Sequence, residues 1–97
     1  MTLGEFKDST KKAEPPAGLA PPLLALWHDA RGNWEAAHNI AQEIPDPTGA
    51  WIHAYLHRKE GDLTNAGYWY RRARQPEAQD SLDAEWQRIA QSLVSSL

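Results

Sequence analysis

Shifted by 29 residues, this chain falls on itself: Ala25 meets Ala54, His28 meets His57, Gly32 meets Gly61, Ala37 meets Ala66, Pro47 meets Pro76, and Asn33 meets Asp62. The apolar residues keep the same register. Trp34, Ala37, Ile40, Ala41 and Ile44 fall on Leu63, Ala66, Trp69, Tyr70 and Ala73, both sets at offsets 0, 3, 6, 7 and 10. Those offsets trace one face of an α-helix. Matching faces with matching punctuation define an internal repeat.

The punctuation has a local mechanism. Gly32 and Gly61 stand where a helix must turn, and glycine enters the left-handed conformation without a Cβ clash. Asn33 and Asp62 follow as N-caps, accepting hydrogen bonds from free N–H groups of the next helix. Each Gly-Asn or Gly-Asp step therefore stops one helix and starts an antiparallel successor. Asp46-Pro47 opens a helix by the same logic. The pattern predicts helices over 20–31, 34–44, 47–60, 63–75 and 81–95. The last rests on Leu82, Trp86, Ile89, Leu93 and Leu97, with Asp80 or Ser81 as cap, and has no copy in the repeat. Its expected task is to cover the apolar end of the stack.

A chain of 97 residues holds one small domain, and ordering it costs on the order of 100–200 kcal/mol in conformational entropy. Five tryptophans offset the short length, each able to bury roughly 150–250 Å². A formal net charge of −3 speaks against binding driven by phosphate contacts, and the absence of cysteine removes disulfide and thiolate chemistry. No apolar run suits a membrane span or a secretory signal, so the expected location is cytoplasmic. Residues 1–17 are polar and end in a proline pair. They read as a flexible N-terminal arm, with Leu3 and Phe6 able to dock, ahead of a helical domain over 18–97.

"AYLHRKEGDLTNAGYWYRRARQP" resembles the tetratricopeptide (TPR) repeat through Ala54, Gly61, Asp62, Ala66, Tyr70, Ala73 and Pro76. "ALWHDARGNWEAAHNIAQEIPDP" carries a weaker copy through Ala25, Gly32, Asn33, Ala37, Ala41 and Ile44. The unit is shorter than the family's, which is about 34 residues. The resemblance implies an all-α fold: two TPR-like antiparallel helical hairpins of the right-handed α-α superhelix type, plus a C-terminal capping helix. It also implies a non-enzymatic protein–protein interaction module. Two repeats leave apolar edges uncovered, so the expected partner is another protein or a second copy of the chain, with no cofactor, nucleic acid or membrane expected. First-helix residues line the family's concave face, which here points to Leu26 and Asp29, then to Trp51, Tyr55, Arg58 and Lys59 as the binding surface.

Other chemistries compete for some of these residues. His53 and His57 lie four apart on a predicted helix, a spacing that lets two imidazoles share a metal, with Glu60 as third ligand and His28 or His38 as a distant fourth. The structural alternative is packing within the hairpin. "GYWYRRAR" sets aromatics beside arginines, as nucleic-acid grooves do. On a helix, though, Trp69, Tyr70 and Ala73 turn to the core while Arg71, Arg74 and Tyr68 turn outward. Ser92, Ser95 and Ser96 cluster at the chain's end with no strained turn to activate them, so no catalytic residue is expected.

Overall fold

In a computed structural model describing residues 1–96, six helices account for all the regular structure among the described residues. They are α1 (Leu3–Ser9), α2 (Pro21–Ala30), α3 (Trp34–Gln42), α4 (Pro47–Lys59), α5 (Leu63–Ala73) and α6 (Leu82–Ser95). The five helices expected from periodicity are present, each ending within one or two residues of its expected bounds. No described helix is long and apolar enough to cross a membrane.

The repeat punctuation is realised in backbone geometry. Gly32 and Gly61 take φ of +80° and +88°. At each, the next N–H reaches back to a histidine carbonyl: Asn33 to His28 at 2.9 Å and Asp62 to His57 at 3.0 Å. This six-to-one closure satisfies carbonyls that a helix end would leave orphaned. The same residues then cap the next helix, Asn33 accepting from Ala36 N–H at 3.1 Å and Asp62 from Asn65 N–H at 3.3 Å. Asp46 caps α4 through Thr48 and Gly49, and Ser81 rather than Asp80 caps α6. α5 ends differently. Arg74 takes the left-handed position at φ 59°, and Gln75 N–H closes on the Tyr70 carbonyl.

Each glycine turn brings the chain back on itself, so that α2 packs on α3 and α4 on α5. α4 is the centre of the molecule, touching α2, α3, α5 and α6. α6 lies across α2 and α4, where Trp86, Ile89, Ala90 and Val94 join Leu23, Leu26, Ile52 and Leu56 in the main core. A smaller cluster of Ala54, Ala66 and Tyr70 fills the α4–α5 contact, with Trp51 and Trp69 at its edge.

Four of the five indoles place their N–H on an acceptor: Trp27 on the Ser9 carbonyl, Trp34 on Leu56, Trp86 on Leu26 and Trp51 on Glu85. A buried ring that also spends its polar edge fixes the elements it bridges. The start of the chain, read as an arm on which Leu3 and Phe6 could dock, carries a short helix. Thr2 and Glu5 form a reciprocal capping box, and α1 lays Phe6 onto Trp86 with ring centroids 5.6 Å apart and planes 11° from parallel. Phe6 is fully buried, worth about 1.5–3 kcal/mol, which holds a helix too short to persist alone.

Candidate functional site

The four residues expected to form a binding surface lie along one stripe of α4, and most of their polar atoms are used inside the molecule. They divide two and two. Tyr55 and Lys59 hold Asp29 of α2: the tyrosine hydroxyl donates to Oδ2 at 2.7 Å and the ammonium to Oδ1 at 2.9 Å. Trp51 and Arg58 hold Glu85 of α6: the indole N–H donates to Oε2 at 3.4 Å and the guanidinium to Oε1 at 2.9 Å. Arg58 also donates to the Asp80 carbonyl, and Tyr70 of α5 brings its hydroxyl within 2.6 and 2.8 Å of the two Glu85 oxygens.

Asp29 and Glu85 are 3 % and 0 % exposed, and Tyr55 is 2 % exposed. Leu26, expected on the concave face, is also fully buried. A carboxylate withdrawn from water is tolerated only when paired and hydrogen-bonded, as both are here. Burial, and then the adjoining carboxylate, drives the hydroxyls of Tyr55 and Tyr70 well above the usual phenol range, so both remain donors. This stripe of α4 is a polar clamp that fastens α2 and α6. Neither buried carboxylate was singled out by sequence reading for this role, because their partners lie 15 to 34 residues away in the chain.

Beside the clamp, α1, α4 and the start of α6 enclose an open cleft of about 610 Å³. Lys7, Lys11 and Lys59 bring cations to it and Asp8, Asp29 and Asp83 bring carboxylates, with Tyr55 along it and the largely buried Trp86 in its wall. Two of the four expected surface residues, Tyr55 and Lys59, thus line a concave feature rather than an open helix face. Lys7 and Lys11 were missed because they belong to the segment read as an arm.

The histidines occupy the opposite face of α4, since residues 53, 57 and 60 lie roughly half a turn from residues 51, 55 and 58. His38 of α3 joins them, while His28 remains apart, edge-on to Trp27. The rings of His38, His53 and His57 have centroids 4.6 to 5.3 Å apart. His53 stacks on Trp69 at 4.0 Å and His38 on Trp34 at 4.8 Å. Glu60 does not face the centre of this group as a third ligand. Its carboxylate takes His57 Nδ1 at 2.6 Å instead. Burial, reinforced by its imidazole neighbours, lowers His53 to about 4, and burial lowers His38 as well.

On α5, Ala66, Tyr70 and Ala73 are buried and Trp69 half-buried, while Tyr68, Arg71 and Arg74 face outward as the periodicity implies. Arg72 lies over the rings of Tyr68 and Trp69 at 5.6 and 5.2 Å. Compared with protein-family models, curated proteins and solved structures, the chain matches none.

Proposed function

We propose that the chain is a TPR-like helical-hairpin module that binds another protein and performs no catalysis itself, with the cleft beside α1 as the seat of the partner. The repeat in the sequence supports the architecture: two glycine-turned helix pairs, with α6 laid across them as the covering helix. One observation carries the functional half. The cleft sets the exposed Lys7 and Lys11 of the α1 segment beside the clamped Lys59, with Tyr55 and Trp86 in its wall. Lys11 makes no side-chain hydrogen bond to another described residue and Lys7 only a 3.3 Å one to Gln87, so both can turn to the backbone carbonyls and carboxylates of a peptide segment.

The experiment is affinity capture with the native chain beside a variant carrying Lys7→Glu and Lys11→Glu. Both lysines are exposed, and the double reversal leaves every contact to Asp29 and Glu85 in place. The reading expects one or more proteins retained by the native chain and lost from the variant. Equal retention by both would place the partner elsewhere, and no specific retention would remove the function. Trp51 and Arg58, the more obvious targets from sequence, are unsuitable because alanine there strips Glu85 of donors and tests folding instead. Self-association is the same module's second form. Light scattering of the native chain at high concentration reads it directly, and a clean monomer counts against it.

A further inference from the structure

We propose that His38, His53 and His57 form a three-imidazole site for a borderline divalent cation, zinc foremost, with a fourth position left open for water or an incoming side chain. The inference is independent of the cleft, which lies on the other side of α4.

Geometry is the first support. One nitrogen from each ring lies within 4.8 Å of the others. A tetrahedral zinc with bonds near 2.0–2.1 Å separates its ligand nitrogens by about 3.3 Å, so the rings need to close by about 1.5 Å. His53 and His57 come from successive turns of α4, and His38 faces them from α3, which packs directly on α4.

The state of the nitrogens is the second support. A carboxylate accepts, so the 2.6 Å contact with Glu60 assigns the hydrogen of His57 to Nδ1 and leaves the Nε2 lone pair free to ligate. A carboxylate behind a ligating imidazole is the arrangement that orients the ring and raises its basicity toward a metal. The Asn65 amide occupies that lone pair at 3.3 Å, a long contact that an ion displaces. Neither His38 nor His53 hydrogen-bonds another described residue, although His53 is only 6 % exposed. Their nitrogens are not sealed from water, so an ion reaching them displaces solvent and breaks no bond within the protein.

His53 also borders a pocket of about 250 Å³ shared with Trp69 and Arg72, which offers an ion a route from solvent. Arg72 and Asp46 line that route, and Glu60 lies behind the site. The other nearby set, His57, Glu60 and Asp62, is already spent: Asp62 caps α5 and Glu60 holds His57. With imidazole donors and no cysteine, the site favours zinc, copper or nickel over calcium or magnesium.

The test is titration of the chelator-treated, full-length chain with Co²⁺, read by its visible d–d bands, followed by displacement with Zn²⁺. The proposal expects tetrahedral-type bands that saturate at one equivalent and vanish with one equivalent of zinc. His38→Ala, at a half-buried edge, and His53→Leu are each expected to weaken binding by at least about 100-fold, Glu60→Gln by about 10–100-fold, and His28→Ala not at all. Absence of bands with the native chain overturns the proposal outright, whether or not any variant folds. So does unchanged affinity in either ligand variant whose far-UV circular dichroism matches the native chain.

Discussion

Ionisable side chains gather at both faces of α4, and they are used in opposite ways. On one face Asp29 and Glu85 have every oxygen answered by a donor from α4 or α5, and the result joins four helices. On the other, three imidazoles meet with the nitrogens of two of them free of protein partners. A satisfied cluster has been spent on the fold, because any ligand would have to break bonds already made. A convergent, unsatisfied cluster has capacity left over. Burial alone does not separate the two faces; the hydrogen-bond account does.

The largest effect comes from breaking the satisfied face. Glu85→Ala leaves Arg58 without its carboxylate and two further donors unanswered, and we expect about 3–5 kcal/mol of destabilisation in urea unfolding. Its affinity for zinc, where it still folds, should be unchanged.

Acid should act on the unsatisfied face. His53 holds its proton at about 4 in the folded chain but near 6.5 in the unfolded one, so the unfolded state binds the proton first as pH falls. Metal-free protein should therefore lose stability from about pH 6.5 down to about 4, at no more than about 1.4 kcal/mol per pH unit for one proton. His38 adds a contribution of the same sign. His53→Leu, which installs the residue of its repeat counterpart Leu24, should flatten the decline measured by denaturant midpoints against pH. An unaltered slope would show that other groups set it.

Two smaller substitutions sharpen the boundary. Asp62→Ala removes the cap of α5 and should cost about 1 kcal/mol, with zinc affinity preserved, because that carboxylate is already spent. Asp29→Asn keeps an acceptor for Tyr55 but removes the counter-ion of Lys59, whose side chain is 38 % exposed. Screening holds that loss below about 1 kcal/mol. Both are read by chemical unfolding.

Much of this was legible in the sequence because it is local. Gly32 and Gly61, with Asn33 and Asp62 after them, state their turn within two residues, and the offsets of Ala66, Tyr70 and Ala73 declare a buried face without reference to any other helix. Three things are written only in the assembled molecule. α1 has a capping box, but its seven residues are held by Phe6 against Trp86, 80 positions away. Arg58 and Tyr55 look like surface chemistry on a helical wheel, and only the placement of α2 and α6 turns them inward. His38 is separated from His53 by the turn at Asp46, so the four-residue spacing put Glu60 third and left His38 a distant fourth, whereas the packed α3 and α4 bring His38 against both rings and turn Glu60 to His57 Nδ1. Arg74, in a conformation where glycine is favoured, carries no sequence signal at all.

The most direct test of the contrast between the two faces of α4 is the thermal midpoint of the native chain in chelator and in zinc at about 100 times its Kd. An occupied site adds about 2.7 kcal/mol, which for a domain of this size raises the midpoint by about 10–20 °C. The account predicts that rise in the native chain and its absence in His38→Ala. A midpoint indifferent to zinc, or one that rises equally without His38, would contradict it.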